Sequence, residues 1–241
     1  MPVSLDLDMM PSLPAPTPER PLLGLTVLVV EDSRFASEAL RLLCLRSGAR
    51  IRRADSLAAA QKHLRVYRPN VTLVDLGLPD GSGASLIDEL SRAQPRVEVI
   101  LGMSGDAGAE PMALAAGADG FIEKPIAGLA AFQETILAKL PEDARRFGLR
   151  SVSNETVAPD AGSLLEDFSY AADILTAHNG DDMLDYIAQF LAGVARDAGD
   201  AEVVDAAETL AKHRQTGAPY RSDVARIAGL VQERLTEQRA V

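Results

Sequence analysis

The stretch Val-Leu-Val-Val-Glu-Asp-Ser at residues 27–33 joins an apolar run to two adjacent carboxylic acids. An apolar run without polar alternation indicates a strand that is covered on both faces, as the strands of parallel sheets are. The two acids then stand at the carboxyl end of that strand, the edge where open parallel sheets collect their reactive groups. This stretch therefore predicts an α/β fold with a polar site at one edge of the sheet.

The sequence around this stretch repeats its pattern. Further apolar runs that predict strands lie around Ile51 and at residues 71–74, 97–103 and 120–122. Stretches with helical periodicity separate and follow them, at residues 33–47, 56–66, 83–93, 108–116 and 127–139. Strands that alternate with helices form parallel sheets, and right-handed crossovers place the helices on both faces. The predicted fold is thus a five-stranded parallel doubly wound sheet.

The composition divides the chain into four segments. Residues 1–22 carry six prolines and are predicted to form a disordered tail, and residues 23–140 contain the α/β domain. Residues 141–163 hold prolines and glycines among polar groups, which is typical of a linker. Residues 164–241 show helical periodicity without a strand signal and predict a small all-α unit. Its helices are expected near residues 164–178, 181–198, 201–214 and 221–238.

Polar residues that suit one reaction follow the predicted strands. Glu31 and Asp32 come after the first strand, Asp75 after the third, Ser104 after the fourth and Lys124 after the fifth. Three carboxylates at one sheet edge repel each other unless a cation joins them, and oxygen ligands of this kind suit Mg²⁺. The Asp75 carboxylate can then act as a nucleophile towards a phosphoryl group, whose charge Lys124 and Ser104 would stabilise.

Four motifs in this order carry a family resemblance. They are Val-Leu-Val-Val-Glu-Asp-Ser (27–33), Val-Asp-Leu-Gly-Leu-Pro-Asp-Gly-Ser-Gly (74–83), Met-Ser-Gly (103–105) and Ala-Gly-Ala-Asp-Gly-Phe-Ile-Glu-Lys-Pro (116–125). Over about residues 24–140 the chain resembles the receiver domain of bacterial two-component response regulators. The resemblance implies a CheY-like, flavodoxin-like fold with strand order 2-1-3-4-5. It also implies a role in phosphorelay signal transduction, with a sensor histidine kinase or a phosphotransfer protein as partner.

The resemblance assigns roles around a magnesium ion and a phosphoacceptor. Asp75 matches the phosphoacceptor, and Asp32 matches a Mg²⁺ ligand. Glu31 stands in the outer acidic position, where it would contact the metal mostly through water. The backbone carbonyl of Gly77 would complete the share of the coordination that the protein provides.

The resemblance also implies a switch. Ser104 matches its hydroxyl residue and Phe121 its aromatic residue, where many relatives have Thr and Tyr. Lys124 matches the lysine that pairs with the phosphoryl group, and its peptide bond to Pro125 is usually cis in such proteins. These replacements are compatible with a switch but say little about the partner that it addresses.

The charge and the hydropathy of the chain restrict its partners. Lys and Arg number 24 against 35 Asp and Glu, a net charge of −11, which argues against DNA and against an anionic membrane surface. No apolar run approaches the roughly 20 residues that span a bilayer. The N-terminus does not have the pattern of a signal peptide either. We therefore expect a cytoplasmic protein.

Three outputs of the helical unit remain open. The apolar stripe of its helices favours a protein-interaction or dimerisation unit, whose partner would be a second copy of the chain or another protein. A cryptic DNA-binding domain is the first alternative, although residues 151–241 hold only 7 Lys and Arg against 16 Asp and Glu. A phosphotransfer unit is the second, because His213 precedes Gly217 by four residues. No enzymatic output is expected beyond slow self-dephosphorylation.

Overall fold

The computed structural model describes residues 15–141, 155–177 and 181–239. It contains an α/β domain followed by helices. In chain order, the elements are β1 (Thr26–Val30), α1 (Arg34–Arg46), β2 (Arg50–Ala54), α2 (Leu57–Val66), β3 (Val71–Asp75), β4 (Gly77–Leu78), β5 (Gly81–Ser82), α3 (Gly83–Arg92), β6 (Val99–Ser104), α4 (Glu110–Ala115), β7 (Gly120–Glu123), α5 (Leu129–Lys139), α6 (Ala161–Thr176), α7 (Asp181–Ala198), α8 (Ala201–Thr216) and α9 (Arg221–Arg239).

The five long strands form one parallel sheet in the order β2-β1-β3-β6-β7. Counted without the short β4–β5 hairpin, this is the predicted order 2-1-3-4-5, so the predicted fold class is confirmed. Separate apolar cores cover the two faces of the sheet, as the continuous apolar runs require. In the register of the central strands, Val30 lies beside Val74 and Asp75 beside Met103. The polar residues after these strands consequently meet at one edge.

The hairpin between β3 and α3 holds the chain close to Asp75. Gly77 in β4 pairs with Ser82 in β5, and the turn brings Gly83 against the end of β3. A Cβ on Gly83 would lie 1.9 Å from the carbonyl oxygen of Asp75, so no other residue fits here without a backbone shift. Ser82 then caps α3 by accepting a hydrogen bond from the backbone N–H of Ala84.

Helices α6–α9, residues 161–239, form a second body that we call the helical unit. Its helices pack around one apolar core, in which Ile187, Leu191 and Leu210 are fully buried. The helix bounds lie within three residues of the predicted ones: α6 begins three residues earlier than predicted, and α8 ends two residues later. Gly217 follows the last residue of α8 and adopts the left-handed conformation that favours glycine. Helices α6 and α7 both pack against α1 of the sheet domain.

The sequence predicts a disordered tail and a linker, but the parts of both that the structure describes pack on the sheet domain. Leu22 is fully buried, and its N–H donates to the carbonyl of Ser47 at 2.9 Å. The ordered domain therefore starts before residue 23, and residues 1–14 of the predicted tail lie outside the described residues. In the predicted linker, residues 142–154 also lie outside them.

The remainder of that linker has a defined position. The carbonyl of Glu155 accepts a hydrogen bond from Leu129 at 3.0 Å, and Val157 packs on the core of the sheet domain. A segment without regular secondary structure can bury single apolar side chains and accept hydrogen bonds through its carbonyl groups. The composition of the linker therefore does not show whether it packs on the domain. Among the described helices, none has both the length and the apolar character needed to cross a membrane.

Candidate functional site

Three carboxylates meet at the carboxyl edge of the sheet. One oxygen from each of Glu31, Asp32 and Asp75 lies within 4.8 Å of the other two. Burial raises the pKa of Asp32 to about 6, although the hydrogen bond from Tyr186 acts in the opposite direction. Burial also raises the pKa of Glu31 well above its ordinary value, and the charges of Asp75 and Asp32 add to this effect. The cluster therefore holds more negative charge than its surroundings favour, which is the condition that a cation relieves.

Lys124 neutralises part of this charge. Its ammonium lies 2.6 Å from Oδ1 of Asp75 and 2.9 Å from Oε2 of Glu31. Burial by itself lowers the pKa of Lys124, but the charges of Asp75 and Glu31 outweigh it and raise the pKa well above its ordinary value. Lys124 is thus a permanent cation in the site. Its peptide bond to Pro125 is cis, as the resemblance implies.

The oxygen-rich donor set fits Mg²⁺. All three side chains offer carboxylate oxygens, which suit a hard cation, and two of the three are buried. The N–H of Gly77 donates to Oδ2 of Asp75 at 2.7 Å, which places this residue directly beside the cluster. Coordination by its carbonyl oxygen stays a prediction.

The two predicted switch residues, Ser104 and Phe121, have different surroundings. The side chain of Ser104 is buried, and its Oγ accepts a hydrogen bond from the backbone N–H of Asp106 at 3.1 Å. The backbone N–H of Lys124 donates to the carbonyl of Ser104 at 2.9 Å and so connects β7 to the end of β6. Phe121 is half-buried and packs on the apolar core beneath α3 and α4. The structure therefore brings six of the seven predicted residues to the cleft at the edge of the sheet, whereas Phe121 packs on the apolar core, and the roles of all seven stay predictions.

Helix α7 of the helical unit reaches this site, which the sequence did not predict. The hydroxyl of Tyr186 donates to Oδ2 of Asp32 at 2.6 Å. Farther along α7, the guanidinium of Arg196 lies against Gly105. The helical unit thus contacts an expected metal ligand and the loop after β6. Nothing in the spacing of these residues signals the contact, because Tyr186 follows Asp32 by 154 residues.

A second contact anchors the helical unit at the start of α1. Asp167 of α6 is 2% exposed. It accepts hydrogen bonds from Oγ of Ser33 at 2.8 Å and from the N–H groups of Arg34 and Phe35 at 2.9 and 3.0 Å. The free N–H groups at a helix N-terminus favour a carboxylate in this place. From the sequence, an acidic residue in the middle of a helix is expected to be exposed to solvent. The sequence therefore did not predict that Asp167 caps the start of α1.

Between the two bodies lies an open cleft of about 630 Å³. The acid cluster, Ser104 and Lys124 line one side, and residues of α7 and α8 line the other. Asp197 of α7 is half-buried there, and burial raises its pKa. Within the part of the chain that the structure describes, its Oδ1 atom has no hydrogen-bond partner. The cleft gives small molecules and water access to Asp75.

His213, the candidate phosphotransfer histidine, is engaged elsewhere. Its Nδ1 lies 2.6 Å from Oδ2 of Asp223, so α8 and α9 are joined through the ring. The neighbouring Arg214 pairs with Asp185 of α7. These contacts give His213 a structural partner within the helical unit.

Comparison with known proteins identifies the sheet domain. Residues 27–136 match the family model of the response regulator receiver domain. The KDP operon transcriptional regulatory protein KdpE of Escherichia coli is 28% identical over 156 residues, which cover 65% of this chain and 64% of that protein. The virulence transcriptional regulatory protein PhoP of Salmonella typhimurium is 31% identical over 100 residues, which cover 41% of this chain and 45% of that protein.

A solved response regulator receiver domain (CheY-like) from Methylobacillus flagellatus is 26% identical, covers 47% of this chain and 97% of that chain, and has a TM-score of 0.43. The fold, the acid cluster and the family match together define a response regulator receiver domain. Residues 27–136 of this chain belong to that family. The matched segments span about half to two thirds of the length of the curated relatives.

Proposed function

We propose that this chain is a two-component response regulator that accepts a phosphoryl group on Asp75 from a histidine kinase or a phosphotransfer protein. The observation that carries the proposal is the surroundings of the Asp75 carboxylate. It lies at the open end of a buried strand, 2.6 Å from the ammonium of Lys124 and within the acid cluster. A carboxylate that only caps a turn at a strand end needs no cation beside it. The Asp75 carboxylate, in contrast, pairs with Lys124 and lines the cleft.

The residues of the site divide the chemistry between them. An oxygen of Asp75 attacks the phosphorus of the donor, the bond from phosphorus to the donor nitrogen breaks, and its electron pair returns to the imidazole. Lys124 then pairs with a phosphoryl oxygen, and the hydroxyl of Ser104 donates to another. Asp32, Asp75 and the carbonyl of Gly77 would hold Mg²⁺, with Glu31 acting through water. Mg²⁺ supplies further charge neutralisation when it is bound.

We further propose that the helical unit is a protein-interaction or dimerisation output that catalyses no reaction on a separate substrate. It contacts the receiver at an expected metal ligand, Asp32, and at the start of α1. A ligand that changes the partners of Asp32 therefore changes the contacts that hold α7. Phosphorylation would thus shift the population of docked and released helical units.

DNA binding is the second candidate output. It is favoured by the names of the relatives, since both KdpE and PhoP are transcriptional regulatory proteins. The negative net charge of residues 151–241 argues against DNA binding, because binding to the phosphates of DNA requires clustered Lys and Arg. Retardation of promoter DNA by the phosphorylated chain would select this output. A doubling of the solution mass with Mg²⁺ and beryllofluoride would select dimerisation.

The phosphoacceptor is tested by labelling with acetyl phosphate in the presence of Mg²⁺. The Asp75→Asn variant should take up no phosphoryl group on a phosphate-affinity gel, and chelation of Mg²⁺ should abolish labelling of the wild type. Asp88→Asn is the matched control, because Asp88 lies on α3 in an exposed pair with Arg92. Undiminished labelling of Asp75→Asn would place the acceptor elsewhere.

A further inference from the structure

Helix α7 brings an amide side chain to the phosphoacceptor. A Cβ placed on Gly77 would lie 3.1 Å from Cδ of Gln189 and 3.2 Å from its Oε1 and Nε2. The N–H of Gly77 in turn donates to Oδ2 of Asp75. The amide of Gln189 therefore occupies the place where a side chain of residue 77 would begin, and residue 77 is hydrogen-bonded to the carboxylate that is to be phosphorylated. Because residue 77 is a glycine, no side chain separates the two.

The neighbours of Gln189 on α7 fix its position. Tyr186, three residues earlier, is held by Asp32. Ile187 and Ala188 are fully buried in the core of the helical unit. In the docked helical unit, α7 can therefore neither rotate nor slide without breaking these contacts, and Gln189 faces the cleft.

The amide of Gln189 is free to bind water. Gln189 is exposed and lines the cleft together with Asp75 and Lys124. Across the described residues no hydrogen bond involves its amide, so both Oε1 and Nε2 can bind a water molecule. The cleft has room for several waters beside a phosphoryl group, since one water occupies roughly 30 Å³.

The chemistry of the side chain suits the hydrolysis of an acyl phosphate. A carboxylate in this position would repel the phosphoryl oxygens, but an amide is neutral. It can accept a hydrogen bond from the attacking water and donate one to a phosphoryl oxygen. A glutamine is known to orient the attacking water in this way in phosphoryl transfer. The receiver residues stabilise the phosphoryl group, whereas Gln189 would direct water to it.

We propose that Gln189 is a water-positioning residue, through which the docked helical unit accelerates dephosphorylation of its own receiver. This rests on the proposed function of Asp75 as phosphoacceptor. The water oxygen forms a bond to phosphorus, the bond from phosphorus to the Asp75 oxygen breaks, and its electron pair returns to the carboxylate. The phosphoryl group and the two water protons leave together as dihydrogen phosphate. No further reactant is needed.

The test measures how fast the label on the full-length chain decays. Protein labelled with radioactive acetyl phosphate is freed of the donor, and the loss of label is followed in Mg²⁺. Gln189→Ala should lengthen the lifetime of the phosphoryl group by about tenfold or more, because water is no longer oriented. Gln189→Glu should be as slow as Gln189→Ala, since it keeps the length of the side chain but adds a negative charge. Gln215→Ala, which removes another exposed amide of the cleft, should decay at the wild-type rate.

Two further measurements separate positioning from packing. The rate of labelling by acetyl phosphate and the affinity for beryllofluoride should stay within about twofold of the wild type in Gln189→Ala, because neither involves the attacking water. A wild-type lifetime in Gln189→Ala or in Gln189→Glu would overturn the proposal, and so would an equal effect of Gln215→Ala. If the Gln189 variants still take up label on Asp75 but keep the phosphoryl lifetime of the wild type, only the proposed role of Gln189 is wrong. If the wild type takes no label on Asp75, the proposed function fails, and the role of Gln189 fails with it.

Discussion

The receiver domain and the helical unit differ in where their polar residues point. In the receiver, buried apolar faces cover the sheet, and the polar residues collect at the strand ends around Asp75. In the helical unit, one apolar core joins four helices. Two of its polar groups, the carboxylate of Asp167 and the hydroxyl of Tyr186, bond to the receiver. The chemical residues of the receiver lie in its sequence motifs. The residues of the helical unit that contact the site do so only because of where this unit packs on the receiver.

The largest change is expected when the cation of the receiver is removed. Lys124→Ala leaves the buried carboxylates of Asp75 and Glu31 without their partner, so the free energy of unfolding should fall by about 3 kcal/mol. Labelling by acetyl phosphate should be lost as well. Urea unfolding in the absence of Mg²⁺ measures the first effect. An unchanged midpoint would mean that the carboxylates are neutral in the fold.

The buried anchor of the helical unit should come next. Asp167→Ala removes the acceptor for the hydroxyl of Ser33 and for the N–H groups of Arg34 and Phe35, and should cost about 2 kcal/mol. Faster hydrogen exchange at the start of α1 and in α6 would report the released contact. Asp173→Ala, an exposed position on the same helix, is the control and should leave the exchange unchanged.

A smaller effect is expected from the hydroxyl that reaches the metal site. Tyr186→Phe removes the hydrogen bond to Asp32, and the docked helical unit should lose about 1.5 kcal/mol. Because Asp32 is then free to bind a cation, calorimetric titration should show a higher Mg²⁺ affinity. An equal or weaker affinity would show that Tyr186 does not compete with the metal.

The smallest effect should come from an ion pair at the same interface. Arg34 and Glu166 pair at 3.0 Å, but both side chains are largely exposed. Water screens such pairs, so Arg34→Ala should change the free energy of unfolding by less than about 0.5 kcal/mol. A loss as large as that of Asp167→Ala would mean that the interface is held by charge rather than by the buried cap.

Prediction from sequence succeeded where structure depends on neighbours in the chain. The helices of the sheet domain and the five strands lie at the predicted positions, because periodicity and capping act within a few residues. It was less accurate at the borders of the domains. The docking of Leu22, Glu155 and Val157 depends on surfaces that other segments provide, and the sequence of each segment contains no signal for them.

The sequence by itself determined the fold class, the strand order through the family resemblance, and the set of residues that meet at the end of the sheet. This was possible because parallel strands of alternating βα units must present their carboxyl ends along one edge. Only the tertiary structure decided that the helical unit lies over this edge. Tyr186, Asp167 and Gln189 are more than 100 residues away from the groups that they contact, and no local pattern encodes such a contact. The contacts arise because the docked helical unit brings α6 and α7 against α1 and the β4 strand.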